Sequence, residues 1–416
     1  MTAKWKQGYD IGNLTTMLEG AKETTASGTV QYEWFKLEKA IAILQTCVDV
    51  SPEIPPRQKE DILRAAVDKS LGWRGVRSAD LLNAISTEEG KFLGRPHQPY
   101  VLATSLSIRH FADLRPVASS TARITFSPRL PAKFEQGATV ADAERSLGLS
   151  TPAEFTRVRI AVKARSEVEA YYRAMDSLDF FRAVWNLQMN RRLLSFHSGR
   201  IHPINQILLG PIHTLHGASG KLAVKNVWYE PGFFPIMPSS VQVYWPQLRE
   251  YEHFVRKRLR TVKYGGLIRT SLVRYARALD QQDYGTAFQG LWSVLEALSG
   301  TGRNSYDTTI KRTLFLHKDP TDHRLVLEHL RNIRNDMVHI GQGMHEHNVE
   351  RVLRQLMNYV HDFFRIYLEV RHGIKEFEEM IKLFDSEQDL NLLQEKIEAS
   401  KQQTRLLEKA FELRKP

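Results

Sequence analysis

A short run near the end of one helical pattern, RNIRNDMVH at residues 331–339, concentrates side chains that can act on phosphates. It holds two arginines, two asparagines, an aspartate and a histidine, and a glycine follows at position 341. Arginine presents a planar fork of donors that fits phosphate oxygens, and histidine can move a proton near neutral pH. RNA cleavage without a metal needs these two functions: proton transfer at the reacting oxygens and stabilisation of the anionic phosphorane.

The positions of these residues around a regular helix limit how they can act together. At about 100° per residue, the apolar residues of the run face the core and the polar ones recur on the other side. Arg334 and His339 are five residues apart in the sequence. They therefore lie about 140° apart around the helix and about 7.5 Å apart along it. They can meet at one phosphate only if the helix ends between them or if two chains contribute, as in a two-fold dimer.

An arginine followed five positions later by a histidine is not specific by itself, because this spacing occurs four times in the chain. Only Arg334 is followed by an amide, Asn335, and only this pair closes a strongly amphipathic helix just before a glycine. The other three pairs are Arg192/His197, Arg312/His317 and Arg324/His329.

Composition and charge place this run in a large, basic, globular chain. Its 416 residues exceed what one core comfortably organises, so two or three domains are expected. Hydrophobic residues make up 42% of the chain, which is a globular value. The formal charge of +11 favours a polyanionic partner, nucleic acid first and an acidic membrane second. Many soluble proteins with no such partner are also basic, so the charge alone does not show whether this chain binds a polyanion.

Cys47 is the only cysteine, which excludes an intrachain disulfide and a cysteine-based zinc site. The N-terminus carries no apolar signal segment, and no later stretch reaches transmembrane length. A cytoplasmic protein that does not enter a membrane is therefore expected. The histidines match no zinc-ligand spacing and no nucleotide-binding loop is found, so neither a metal nor a cofactor is expected.

Hydrophobic periodicity divides the chain into three regions. We expect an N-terminal helical segment at 1–95, a β-rich α+β domain at 96–247 that senses a signal or selects substrate, and a helical bundle at 248–416. The predicted fold class is α+β and mostly helical, with an N-terminal mixed α/β region followed by a C-terminal all-α bundle. The predicted strands are 100–108, 122–126, 157–162, 221–229 and 241–245.

Two helices outside the bundle core have clear sequence signals. Ser166 and Glu169 form a capping box that opens a long helix among the strands. The terminal stretch 376–413 mixes charged residues with leucines, which suits an amphipathic docking or dimer helix.

Three features in order resemble a HEPN domain, most closely the Apea-like HEPN group of bacteria. The first is an aromatic-rich helix, YGTAFQGLWSVLEALSG at 284–300, with Trp292 and Glu296 in a W-x3-E pattern. The second is RNIRNDMVH, and the third is a long helix that follows it. The resemblance covers roughly residues 250–372. GPIHTLH at 210–216 is also reminiscent of the β-rich region that precedes HEPN domains in some such proteins.

The resemblance implies a helical bundle that dimerises and a composite site built from two copies. Catalytic HEPN domains are metal-independent endoribonucleases, often toxins or anti-phage effectors. The implied partners are RNA, a second copy of this chain, and a phage-derived or cellular trigger. Other HEPN domains keep the fold without nuclease activity and bind RNA or a partner protein, and this alternative stays open. A further alternative, independent of the resemblance, is a basic nucleic-acid-binding protein whose β-rich region is the binder.

Two groups of candidate site residues follow. Glu296 is expected either to orient Arg334 or His339 or to be a surface glutamate. The basic run VRKRLRTVK at 255–263 can track an RNA backbone without reading its sequence, and a solvated helix face explains it equally well. The catalytic candidates are Arg334, His339, Asn335 and Glu296, and the RNA-binding candidates are Arg331, Arg256, Lys257, Arg258, Arg260 and Lys263.

Overall fold

The computed structural model describes residues 3–135, 137–191, 203–302, 306–339 and 346–415, with the backbone but not the side chains at 338–339 and 346–349. The protein is mixed α/β and mostly helical, as predicted. It divides into two compact units. The first unit comprises Met1–Ser105, Ala112–Leu178 and Gly210–Glu230, and the second comprises Leu106–Phe111, Asp179–Leu209 and Pro231–Pro416.

This division differs from the three regions expected from periodicity. The N-terminal helical segment and most of the β-rich region fall in one unit, and the second unit takes in residues on both sides of the predicted boundary at 248. The N-terminal segment nevertheless has a hydrophobic core of its own, in which Leu44, Leu63 and Ile85 are fully buried.

The N-terminal part of the first unit is helical with two small antiparallel sheets, β1 with β4 and β2 with β3. The helices predicted near residues 37–48 and 62–66 are confirmed, and Pro56 occupies the first turn of the second of them, where a proline is tolerated. The elements are β1 (Lys4–Trp5), α1 (Ile11–Glu19), β2 (Lys22–Thr24), β3 (Val30–Tyr32), α2 (Trp34–Cys47), β4 (Val48–Asp49), α3 (Pro56–Lys69) and α4 (Ser78–Leu93).

The described part of the chain contains one larger sheet, of six strands in the order β10-β9-β5-β8-β7-β6. Along β8, Val158 and Ile160 are buried while Arg157 and Arg159 point to the other, half-exposed face. The elements of this region are β5 (Gln98–Arg109), β6 (Val117–Ala118), β7 (Ala122–Ser127), α5 (Gly137–Leu147), β8 (Phe155–Ala164), α6 (Glu167–Asn190), β9 (Ile212–Gly217) and β10 (Trp228–Tyr229).

The predicted capping box at the start of α6 is present in a modified form. The N–H of Glu169 donates to Ser166 Oγ at 3.1 Å, which satisfies one of the free donors of the first turn. The Glu169 carboxylate accepts from the N–H of Arg165 at 2.6 Å, one residue earlier than a standard box would place it.

Two strand predictions were wrong. Residues 241–245 form a 3₁₀ helix at Gln242–Tyr244 and the start of the next helix. Of the predicted strand at 221–229, Trp228–Tyr229 forms a strand and Leu222 forms a single antiparallel bridge with His216. Both pair with the strand Ile212–Gly217, which had not been predicted.

The second unit is helical from residue 245 onward. The predicted apolar stripes of three of its helices pack in one core, represented by Leu291, Leu330 and Leu356, all fully buried. Gly300 ends the first of these three helices with a φ of +68°, and a Cβ there would lie 2.4 Å from Ile381 Cδ1. The helices are α7 (Trp245–Arg260), α8 (Gly265–Leu279), α9 (Tyr284–Ser299), α10 (Tyr306–Leu314), α11 (Pro320–His339), α12 (Glu346–Leu368), α13 (Phe377–Phe384) and α14 (Leu390–Arg414).

In the described residues, none of the helices combines the length and the apolar character that crossing a bilayer requires.

Candidate functional site

The candidate site is built on an aromatic support shared by α9 and α10. Trp292 is only 1% exposed in the core, and its Nε1–H donates to Glu296 Oε1 at 2.9 Å, one helical turn later. Tyr306, the first residue of α10, meets the Trp292 ring edge-on with 6.3 Å between ring centroids. One hydrogen bond and one ring contact thus connect Glu296, Trp292 and Tyr306.

Arg334 on α11 lies on this support. Its guanidinium carbon is 4.7 Å from the centroid of the Tyr306 ring, in a cation–π arrangement, and the residue is partly buried. Among the described residues Arg334 has no ion pair and no hydrogen bond. Its neighbour Arg331 differs, because Arg331 Nη1 is 2.7 Å from Asp307 Oδ1. The donors of Arg334 are therefore oriented by a ring but remain available to an anion.

Asn335 adds an unsatisfied acceptor next to this arginine. Its Oδ1 is enclosed by protein, and no described group donates to it. A buried amide oxygen without a donor costs free energy in the unbound protein.

His339 is the last residue of α11, and its side chain lies outside the described part of the structure. The backbone nevertheless restricts its position. Helix α11 continues from Arg334 to His339 without a break, so the helix does not end between the two residues. The first of the two arrangements that would let them meet at one phosphate is therefore excluded, and the second, a contribution from two chains, stays a prediction.

Glu296 was expected to orient Arg334 or His339 or to be a surface glutamate, and its described partner is the Trp292 indole. It holds the Trp292 indole rather than Arg334, although Trp292 and Tyr306 connect it to Arg334 through ring contacts. Tyr306 and Asp307 were not identified from the sequence. They begin a nine-residue helix with no recognised apolar stripe, so no periodic signal marked them.

Contacts within the protein occupy part of the basic run on α7. Arg256 Nη1 donates to the buried Glu252 at 2.9 Å, and Arg258 Nε donates to the carbonyl of Tyr367 at 3.1 Å. Lys263 Nζ is 2.5 Å from Glu376 Oε1. Arg256 is engaged within α7 itself, and Arg258 and Lys263 are engaged by groups of α12 and of the N-cap of α13.

Lys257 and Arg260 are the two members of that run that remain fully available. Both are exposed, and neither has an ion pair or hydrogen bond to any described residue. Any contact of α7 with an RNA backbone therefore depends first on these two side chains.

The other three arginine–histidine pairs differ from Arg334 and His339 in what the structure shows around them. Arg312 is buried, where it pairs with Asp385 at 2.7 Å and donates to the Ser299 carbonyl at 2.9 Å, so it is structural. Arg324 and His329 are exposed on α11. Arg192 and His197 lie outside the described residues.

The described histidines of the sheet are satisfied by neighbours. His213 contacts Thr104 Oγ1 at 2.7 Å and Glu230 at 3.2 Å, and His216 contacts Thr214 Oγ1 at 2.9 Å. Within the described ranges there is no group of three or more His, Cys, Asp or Glu side chains arranged to hold a metal ion.

Comparisons with protein-family models, with curated proteins and with solved structures give no match for this chain.

Proposed function

We propose that this protein is a HEPN-type endoribonuclease that cleaves RNA without a metal ion at a composite site formed by two copies of the chain. The observation that carries the proposal is the state of Arg334. It is partly buried, positioned on Tyr306 and without an anionic partner among the described residues, whereas Arg331 beside it is neutralised by Asp307. An arginine held in this way is prepared to receive a phosphate.

The proposed chemistry assigns one role to each residue type. The 2′-oxygen of RNA attacks the adjacent phosphorus, and the bond from phosphorus to the 5′-oxygen breaks. His339 moves the proton, since imidazole can take it from the 2′-hydroxyl or give it to the leaving oxygen. Arg334 stabilises the negative charge on the phosphorane, and the amide of Asn335 orients a neighbouring side chain. The products are a 2′,3′-cyclic phosphate and a free 5′-hydroxyl.

The dimer in this proposal has a candidate contact in α14. This 25-residue helix has no buried residue in the isolated chain, and Leu407 and Phe411 are 63% and 66% exposed. Leu393 and Ile397 continue the same stripe, and Ser400 and Thr404 complete the alternating three- and four-residue spacing of a coiled-coil seam. A second copy of α14 presents the same seam, so the two stripes cover each other in a two-fold pair.

The biological setting follows from the proposed substrate and the resemblance. RNA as the substrate suits a cytoplasmic protein, and a toxin or anti-phage effector is the role we infer. In this role the first unit would receive a phage-derived or cellular trigger. The alternative, a HEPN module that binds RNA or a partner protein without cleaving, predicts binding with no cleavage under any condition.

A cleavage assay on total RNA in EDTA tests the proposal. The purified protein should cut RNA and leave 2′,3′-cyclic phosphate ends, because the nucleophile is the 2′-hydroxyl. His339→Ala and Arg334→Ala should each reduce cleavage at least about 100-fold, the magnitude typical of losing a general acid–base group or a charge-stabilising donor. Asn335→Ala should cost less, since the amide only orients a neighbour.

A matched control lies on the same helix. Arg324→Ala and His329→Ala change a pair with the same spacing, both members of which are exposed, and should leave cleavage intact. Loss of cleavage on addition of EDTA, or a His339→Ala variant as active as the wild type, would contradict the proposal. Equal losses from the control pair and from Arg334 and His339 would mean that α11 is only structural.

A further inference from the structure

The first unit contains a cleft of about 570 Å³ on one face of its sheet. Strands β5 and β9 and the start of β8 line it on the sheet side, and α5 lines it on the other. Leu130, Val140 and Ile212 give it an apolar wall. This volume lies within the range of about 300–1,000 Å³ found for small-molecule sites, which combine apolar walls with a few polar groups.

Arg157 on β8 is the unusual member of the lining. It is half-buried, and it has no ion pair and no hydrogen bond to any described residue. Burial lowers the pKa of Arg157, and the carboxylate of Glu144 opposes that shift only in part and from a distance. Glu144 itself accepts the N–H of Thr151 at 2.8 Å. A desolvated guanidinium without a partner is costly, and binding sites carry such costs because a ligand removes them.

A second unsatisfied group lies directly across from this arginine. Ser127 on β7 is the cross-strand partner of Arg157 in the antiparallel ladder, so both side chains are on the same face of the sheet. Its Oγ is enclosed and has no hydrogen-bond partner among the described residues. This hydroxyl is enclosed and does not line the cleft, so an anion in the cleft meets the guanidinium of Arg157 and not Ser127.

The remaining charges of the cleft restrict the ligand. Arg129 and Glu135 are exposed, and Glu144 is half-buried on α5. Two carboxylates against two arginines leave no excess positive charge, which disfavours a polyphosphate or a nucleic-acid backbone. The arrangement suits a single anionic head with an apolar body.

We propose that this cleft binds a small phosphate monoester, with its phosphate on Arg157 and its apolar part against Leu130, Val140 and Ile212. The site is separate from the residues of the ribonuclease proposal and does not depend on it. It would give the first unit a chemical signal to receive.

Calorimetric titration of the full chain with phenyl phosphate tests the proposal. Phenyl phosphate should bind once per chain, more tightly than inorganic phosphate, and phenol should not bind. Arg157→Gln should weaken binding about 10- to 100-fold, as expected for the loss of charge-assisted hydrogen bonds. Ser127→Ala should leave binding unchanged, because the Ser127 hydroxyl is enclosed and outside the cleft lining. Arg123→Gln is the matched control, because Arg123 is an exposed arginine on β7 outside the cleft lining. This variant should bind phenyl phosphate as tightly as the wild type.

Thermal unfolding without ligand separates binding from structure. Because Arg157 has no described partner, Arg157→Gln should unfold at the same temperature as the wild type or higher, while losing the stabilisation that phenyl phosphate gives. A clearly lower midpoint would mean that Arg157 supports the fold and would overturn the proposal. So would the absence of binding at millimolar phenyl phosphate, equal losses from Arg157→Gln and Arg123→Gln, or benzoate binding as tightly as phenyl phosphate.

Discussion

Arg331 and Arg334 are three residues apart on one helix, yet their surroundings differ in kind. Arg331 is paired with a carboxylate, and Arg334 is held by a ring with its donors free. In the sequence both are arginines of one polar stripe, and the sequence does not show which of them is paired with a carboxylate. The difference arises because Tyr306 and Asp307 contact them from another helix. Pairing across helices is set by tertiary packing, which local spacing does not contain.

Buried ionisable groups in the second unit have a consequence for stability. The Tyr275 hydroxyl is 2.7 Å from His361 Nε2 and accepts from Asn190 Nδ2 at 3.0 Å. The imidazole therefore accepts a hydrogen bond in its neutral form. Burial, aided by the charge of Arg191, lowers the pKa of His361 to about 3. His317 shifts in the same direction, to a pKa of about 4, mainly through burial.

These shifts predict a loss of stability in acid. An unfolded histidine has a pKa of about 6.5, so below that pH the unfolded chain binds protons that the folded chain does not. The contribution of these two neutral histidines to the free energy of unfolding should be fully present above pH 6.5. The free energy of unfolding should then fall as the pH drops toward 4.5, by at most about 1.4 kcal/mol per pH unit for each histidine. His361→Gln keeps an acceptor for Tyr275 but cannot titrate, so its urea-unfolding free energy should fall less steeply. His329→Gln, at an exposed position, should follow the wild type, and parallel curves for all three proteins would contradict the prediction.

At the scale of elements, the long amphipathic patterns and three of the five strand patterns were predicted correctly, and the strands at 221–229 and 241–245 were not. Helices α9, α11 and α12 each bury a stripe that repeats along several turns, so the period is visible in the sequence. The run VQVYW at 241–245 has strand-like residues, but Pro246 lies in the first turn of α7 and favours a helix start at Trp245. Strand β9 was missed because almost all of it is buried on both faces and does not alternate.

The terminal stretch shows a further limit of periodicity. One amphipathic helix was expected, whereas α13 packs in the core and α14 does not. Asp385 at the end of α13 pairs with the buried Arg312, and the Asp389 side chain caps α14 by accepting from the N–H groups of Asn391 and Leu392. The cap was readable from the sequence. The ion pair was not, since its partner is more than seventy residues away.

Helix α14 supports a direct test of the dimer. Leu407→Glu combined with Phe411→Glu places four like charges along a paired seam, so the variant should sediment as a monomer at micromolar concentration while the wild type sediments as a dimer. The fold should be unaffected because both side chains are exposed in the single chain. RNA cleavage should disappear with the dimer.

The control for this pair changes charge on another side of the same helix. Gln402→Glu combined with Lys409→Glu alters exposed positions outside the seam and should leave both the dimer and cleavage intact. A seam variant that stays dimeric would assign the dimer to another surface. A wild type that is monomeric at micromolar concentration and still cleaves RNA would count against the composite site.

At the scale of the whole molecule, the two units are assembled from segments that alternate along the chain. Two of the five boundaries fall inside β5 and α6, where the sequence shows an uninterrupted strand pattern and an uninterrupted helical pattern. Linker composition, the usual signal of a domain boundary, is missing at both places. This is why the sequence predicted the secondary structure of the region better than its division into units.

The net charge of +11 is a property of the whole chain. The structure shows which of the positively charged side chains are free to contact RNA phosphates. Several arginines and lysines are engaged by carboxylates or carbonyls, which leaves Lys257 and Arg260 on α7 as one free pair. On the sheet, Arg123 and Lys163 are exposed cations of the β-rich region. The two pairs mark two alternative RNA-binding surfaces, one on the helices of the second unit and one on the β-rich region. The composition of the chain favours neither surface over the other.

Binding of single-stranded RNA distinguishes these surfaces. It is measured in the His339→Ala variant, which should not cleave the RNA. Removing one cation that neutralises an RNA phosphate should flatten the slope of log affinity against log salt by about 0.7. Lys257→Gln combined with Arg260→Gln should therefore weaken binding and flatten the slope by about 1.4. Arg123→Gln combined with Lys163→Gln removes the same charge from the sheet and should change neither quantity, if RNA lies along the helical unit. The reverse result would move the RNA to the β-rich region and favour a binding protein over a HEPN nuclease, since the proposed catalytic residues are all on helices of the second unit.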